Sequence, residues 1–282
     1  KLMREHITNA CREKNTIVHA LYNKDPLDPD AIYAEYAKAA ERIAPFVTDG
    51  AVLLNRKLRE GGSIMFEGAQ GTMLDIDHGT YPFVTSSSAT SGGAVTGTGV
   101  APNAIGHVIG VTKAYCTRVG EGPFPTEIHD AVGDVIRKKG NEFGAVTGRP
   151  RRCGWVDLPL LRYAQMINGV DWWVVTKMDV LDELEEVPVC VAWRLDGKVT
   201  EEVPSDARKY EKIECVYERL PGWRSATTAA KTFDQLPQRA QEYLRFLEKQ
   251  TGATIGMVST GPDRDETMMT DGFRTMLSEM HS

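Results

Sequence analysis

The chain alternates apolar stretches of two periodicities. Leu2, Ile7, Ala10, Ile17, Ala20 and Leu21 fall on one face at helical spacing, so residues 1–22 are predicted as a helix. The run Asn23-Lys24-Asp25-Pro26 breaks it, and Asp28-Pro29-Asp30 opens a second helix carrying Ile32, Tyr33, Tyr36, Ala40, Ile43 and Phe46. A short helix over Ala51–Arg59 ends at Gly61-Gly62, and the apolar run Ser63–Phe66 reads as a buried strand. Leu158–Asn168 is predicted as a helix with Pro near its start, and Trp172–Thr176 (WWVVT) as a buried strand. Val187–Leu195 and Val199–Val203 form a predicted hairpin around Asp196-Gly197, followed by a strand at Ile213–Tyr217. Asp234–Gln250 is amphipathic, and Thr254–Val258 is read as the last strand. Asn103–Thr117 reads as helix, or as helix then strand.

Strands alternating with helices imply an α/β fold: a central, largely parallel sheet flanked by helices, with a small antiparallel hairpin subregion. One α/β domain over 1–282 is expected. Ser86–Gly99 (SSSATSGGAVTGTG) consists of small residues. It reads either as a flexible linker or, the preferred reading, as close-packed backbone beside a site.

Composition adds exclusions. Of 282 residues, 41% are hydrophobic and 26% charged, an ordinary globular balance, and the net charge of −6 gives no basic field for nucleic acid. No apolar run approaches a membrane span, so neither nucleic acid nor membrane is an expected partner. Five scattered cysteines without a CxxC pair argue against a disulfide scaffold or zinc site and fit a reducing cytoplasm.

Three segments carry candidate chemistry. In Gly68-Ala69-Gln70-Gly71, glycines flank an amide that offers both a donor and an acceptor, which suits a purine edge. The competing reading is a plain turn with Gln70 facing water. Thr176-Lys177-Met178-Asp179 follows an apolar strand, at the carboxyl end where α/β proteins bind ligands. An Asp there can accept both N1–H and N2–H of guanine, while the Lys stem covers the base. Ser259-Thr260-Gly261, at another strand end, can add backbone contacts. In Gly144–Gly154 (GAVTGRPRRCG), Arg149, Arg151 and Arg152 with Thr147 read as an anion clamp for carboxylate or phosphate. The GxxxxGK[ST] phosphate loop that a guanine site calls for does not occur in the sequence.

Taken together, FEGAQGTMLDIDHGTYPFVTSS, TRVGEGPFPTE, GNEFGAVTGRPRRCGW, TKMDVLD and STGPDR resemble adenylosuccinate synthetase, in family order over nearly the whole chain. The resemblance implies a P-loop-NTPase-like ligase fold and a reaction in which IMP, L-aspartate and GTP give adenylosuccinate, GDP and phosphate. It implies that GTP phosphorylates the purine O6 and that the aspartate amine then displaces phosphate. Gln70 matches the residue at the hypoxanthine edge, Thr85 a ligand of the IMP phosphate, and Val119 a backbone contact to the ribose. Ala145, Val146, Thr147, Gly148, Arg149, Pro150 and Arg151 match the aspartate loop, with Arg149 also reaching IMP and Arg151 reaching GTP phosphate. Lys177, Met178 and Asp179 match the guanine readers, and Ser259, Thr260 and Gly261 the second guanine loop. Val146 departs from the family's usual threonine, and Pro150 stands where some members carry arginine.

The resemblance further implies a cytoplasmic homodimer and a truncated N-terminus. The family's phosphate loop, its catalytic Asp and His, its Mg2+ ligands and an Arg that crosses the dimer are expected outside this sequence, with no metal ligand inside it. The fragment alone is then expected to be inactive. A non-catalytic guanine-nucleotide-binding module is the alternative resting on Lys177–Asp179 alone, and a structural or dimerising remnant is a third reading.

Overall fold

The computed structural model describes residues 1–144 and 148–280, and its contacts cluster into two compact units, Lys1–Arg56 and Lys57–Ser282. The first unit begins with helices α1 (Leu2–Tyr22) and α2 (Pro29–Ile43). Asn23 ends α1 in the left-handed region at φ 46°, and Asp28 caps α2 by accepting the Asp30 N–H at 2.9 Å. Asn15 clamps the link between them, bonding both the N–H and the carbonyl of Leu27. Asp49 caps α3 (Gly50–Arg59) through the Val52 N–H.

The second unit continues with α4 (Ser91–Thr98), β1 (Ile109–Lys113), β2 (Cys116–Arg118), α5 (Ala131–Lys139), β3 (Arg152–Gly154), β4 (Val156–Asp157), α6 (Leu158–Asn168) and β5 (Trp172–Thr176). It closes with β6 (Glu186–Leu195), β7 (Lys198–Thr200), β8 (Glu214–Pro221), α7 (Gln238–Thr251), β9 (Thr254–Ser259), β10 (Thr267–Met269) and α8 (Asp271–Glu279). The main sheet has the order β1-β5-β9-β10, with β1, β5 and β9 parallel and β10 antiparallel at the edge. In a second sheet β6 pairs β4 in parallel and both β7 and β8 antiparallel. The β2–β3 pair forms a small antiparallel sheet. This is the α/β architecture the alternation of elements predicts.

Adjacent residues of β5 show how the main sheet is covered. Trp172 packs edge-on to Phe273 of α8, with ring centroids 5.4 Å apart, while Trp173 donates its indole N–H to Thr251 of α7 at 3.0 Å. Successive strand side chains point to opposite faces, so α7 and α8 lie on opposite sides. Leu244 and Leu247 of α7 are fully buried in the main core, and such side chains each contribute about 1.5–3 kcal/mol. A second cluster forms around Trp193, Cys190 and Tyr210.

Several boundaries follow the sequence closely. Leu158–Asn168 and Trp172–Thr176 form as predicted, α6 being capped by the Asp157 carboxylate and closed by Gly169 at φ 64°. The β6–β7 turn places Asp196 and Gly197 both at positive φ, as a tight hairpin requires. Three expectations need correction. Ser63–Phe66 is not a strand: the described residues provide no ladder partner, and Met65 is 87% exposed. Asn103–Thr117 is not one helix; its helix-then-strand reading holds in outline, with only the 3-10 turn Pro102–Ala104 before β1 and β2, because alternation along 109–113 fits a sheet position beside β5. Thr254–Val258 is not the last strand, since β10 folds back on it with Thr267 opposite Ser259. The small-residue segment contains α4 and packs closely at Gly93, where a Cβ would lie 2.2 Å from the Ser88 carbonyl, while Gly97 faces open space.

Candidate functional site

The parallel strands β1, β5 and β9 end at one rim, and their registers place the predicted base-reading residues there. Lys113 pairs with Thr176, and Val175 pairs with Val258, so Lys177 and Ser259 follow directly at neighbouring strand ends. Lys177 turns the chain in the left-handed region at φ 65°, and Met178–Leu181 form a 3-10 turn. The Met178 side chain is buried in the core, so its part in any site is through the backbone. Asp179 has one carboxylate oxygen buried without a hydrogen-bond partner. Burial pushes its carboxyl up, and the charges of Asp182 and Glu266 add to that while Lys177 opposes it. Buried polar atoms are nearly always paired, so this oxygen faces a place where a donor belongs.

The second loop is held by its own bonds. Thr260 is fully buried, and both its N–H and hydroxyl donate to the Glu266 carbonyl. The Ser259 hydroxyl donates to the Gly261 carbonyl at 3.0 Å.

The arginine loop rises from a laced base. Arg151 N–H donates to the Glu142 carbonyl at 2.9 Å, Phe143 bridges Pro150, and Gly144 N–H donates to the Arg149 carbonyl at 2.8 Å. Gly148, Arg149 and Pro150 are exposed. Ala145, Val146 and Thr147 lie outside the described residues. Arg152 sits in β3 and is engaged, donating to Glu127 at 2.8 Å and to the carbonyls of Gly120 and Gly122.

Beneath the loop lies an ionic hub that the sequence reading missed. Glu142 has no exposed surface, and its oxygens accept from Lys113 at 2.8 Å, Tyr115 at 2.6 Å and Arg151 at 2.6 Å. Burial alone would raise its carboxyl, but these three donors outweigh it and hold the group below the usual carboxylate range. Burial lowers the Lys113 ammonium, and Glu142 partly restores it. One carboxylate faces two cations, so the hub keeps a net positive charge toward any ligand.

The region around Thr85 is organised by another buried acid. Asp75 is 1% exposed and accepts the N–H groups of Asp77, His78, Ala89 and Thr90. Burial raises its carboxyl, and the four backbone donors more than compensate, so it lies below its usual value. Thr85 is half-buried, with its hydroxyl 2.6 Å from that of Ser87. Arg118 ties this segment to the one carrying Val119: it donates to the Phe83 carbonyl and to the Thr80 hydroxyl, each at 3.1 Å. Val119 is 61% exposed. Arg118 also stands opposite Arg152 in the β2–β3 register, next to the arginine loop.

Lys177, Asp179 and Ser259–Gly261 thus share one rim, and Arg151 reaches it through Glu142 and Lys113. Thr85 and Val119 are joined by Arg118. Gln70 is exposed before the turn Thr72–Leu74, and among the described residues its amide has no protein partner.

Comparison with known proteins decides the family. A profile described as adenylosuccinate synthetase matches residues 1–268. The chain belongs to the adenylosuccinate synthetase family. The adenylosuccinate synthetase of Koribacter versatilis is 66% identical over 280 residues, covering 99% of this chain and 63% of that protein. That of Solibacter usitatus is 56% identical, covering 97% of this chain and 63% of that protein. A solved, fully ligated adenylosuccinate synthetase from Plasmodium falciparum superposes with a TM-score of 0.88 at 36% identity, over 95% of this chain and 64% of that one. The chain therefore spans a little under two thirds of the length of these relatives. Among the described residues no helix is long and apolar enough to cross a membrane.

Proposed function

We propose that the protein is a GTP-dependent ligase that joins IMP and L-aspartate into adenylosuccinate. The observation that carries this reading is the buried, unpartnered oxygen of Asp179 beside Lys177 at the rim. A carboxylate accepting N1–H and N2–H of guanine fills that need, and adenine has no matching pair of donors. The family membership supports the rest of the assignment.

In this reading Lys177, Met178 and Asp179, with Ser259, Thr260 and Gly261, hold the guanine. Arg151 meets GTP phosphate, and the loop Ala145–Arg151 receives the aspartate carboxylates. Arg149 and Gln70 approach the hypoxanthine, Gln70 at the oxygen that reacts, while Thr85 takes the IMP phosphate and Val119 the ribose. GTP phosphorylates O6, and the amine of aspartate then displaces phosphate. The chain's own contribution is orientation and positive charge where phosphate and carboxylate meet.

Mg2+ is assigned to the reaction on family grounds. Among the described residues no group of three His, Cys, Asp or Glu side chains is placed to hold an ion. A cytoplasmic homodimer is the assembly we assign to the whole protein, and the 282-residue chain alone is proposed not to complete the reaction.

The test is product analysis. The intact protein, given IMP, aspartate, Mg2+ and GTP, forms adenylosuccinate, and ATP in place of GTP does not support it. Failure to form the product with GTP, or equal rates with ATP, contradicts the proposal. Product formed by the 282-residue chain alone contradicts its last part.

A further inference from the structure

Burying a carboxylate against two cations is an expensive way to fill a core position, since well-packed apolar residues often do as well. Glu142 is nevertheless fully buried and receives Lys113, Tyr115 and Arg151. Arg151 is pinned to this one residue twice, by its backbone N–H on the Glu142 carbonyl and by its guanidinium on the Glu142 carboxylate. Its side chain is 31% exposed, and among the described residues the other N–H groups of the fork have no protein partner. The same short turn reaches the base-reading end, because Lys177 Nζ donates to the Gly140 carbonyl at 2.7 Å. The turn is closely packed: a Cβ on Gly140 would lie 2.2 Å from the Tyr115 hydroxyl.

We propose that Glu142 is a positioning residue that aims Arg151 at the phosphate and carboxylate ligands and, through the Gly140–Glu142 turn, couples that arginine to Lys177 at the base-reading end. This rests on the ligase reading of Arg151 and Lys177. Lys113 and Tyr115 keep the carboxylate from swinging away, since they occupy its other oxygen. The hub touches neither Gln70 nor the Thr85 segment and connects to Arg149 only along the loop, so its effect falls mainly on GTP and aspartate and least on IMP.

The test is steady-state kinetics on the intact protein with GTP, aspartate and IMP varied in turn. Glu142→Gln removes the charge and keeps the shape. Its KM for GTP and for aspartate rises about tenfold, the scale of one charge-assisted hydrogen bond, while the KM for IMP stays within about twofold. In an Arg151→Lys background the same change adds less than about twofold, because both act through one guanidinium. An equal rise for all three substrates, no rise at all, or a full multiplicative effect in that background overturns the proposal. Tyr115→Phe removes one donor without altering charge and serves if Glu142→Gln does not fold. It shows the same pattern at about threefold, and an unchanged KM for GTP and aspartate overturns the proposal equally. Should Arg151→Lys itself leave those two KM values unchanged, the ligase reading of Arg151 fails first and the inference falls with it.

Discussion

Lys177 Nζ donates to the carbonyl of Gly140 at 2.7 Å, which fastens the end of β5 to the turn that closes α5. Lys177 is one of the few non-glycine residues at positive φ, and this bond helps hold it there. In the proposed reading Lys177 presents its stem to a flat base, and it gains from being fixed before the ligand arrives.

Gly140→Ala tests how tight this turn is. The new methyl would meet the Tyr115 hydroxyl at 2.2 Å and the Ile136 carbonyl at 2.9 Å. We expect a loss of about 1–3 kcal/mol in urea denaturation, from overpacking, together with weaker GTP binding. Tyr115→Phe costs less stability in the Gly140→Ala background than in the wild type, because there it also removes the nearer obstacle. Full stability in the single variant would show that the turn yields.

Asp75 organises the Thr85 segment, so Asp75→Ala strands four backbone N–H groups. The expected cost is about 2–4 kcal/mol, with a raised KM for IMP and little change for GTP. The carboxyl lies below its usual value in the folded protein, so its contribution is present above the unfolded carboxylate pKa and is lost as pH falls through the folded one. Wild type and variant therefore converge in stability in acid. A constant gap across that range would contradict the assignment.

Asp157 has the opposite sign. It is 2% exposed, caps α6, accepts the indole N–H of Trp193 at 3.2 Å, and burial pushes its carboxyl up to about 7. The folded state then holds a proton that the unfolded state has released. Stability falls as pH rises from about 4 to 7 and levels off above that, by at most about 4 kcal/mol. Asp157→Asn cannot titrate, so denaturation midpoints of the variant lose this slope, and the wild type's advantage over it is larger at pH 5 than at pH 8. Parallel pH profiles would refute the raised value.

The fold was legible where local chemistry and tertiary demand agree. Asp157, Pro159 and Gly169 bracket α6, and the run from Trp172 to Thr176 is apolar because helices cover both faces of its sheet. Ser63–Phe66 carries the same apolar signal without a described neighbour to pair with, and alternation cannot report a partner's absence. Neither α5 nor α8 was anticipated: each has only nine residues and buries only two. Strand β10 exists only because β9 offers it an edge. In the site, Lys177, Asp179, Arg149 and Arg151 stand out as charged residues next to glycine or strand ends. Glu142 does not. Its partners Lys113 and Tyr115 lie 29 and 27 residues away, and only folding brings them to it. The one available signal was a lone acid at the foot of an arginine-rich loop.

The account stands or falls on guanine recognition by Asp179, and calorimetric titration of GTP and XTP into the intact protein and its Asp179→Asn variant tests it most directly. An Asn there presents an acceptor to N1–H and a donor to the C2 carbonyl of xanthine. The wild type binds GTP more tightly than XTP by on the order of a hundredfold, and the variant reverses that order. A variant that binds GTP as tightly as the wild type does would contradict the claim that this buried oxygen reads the base.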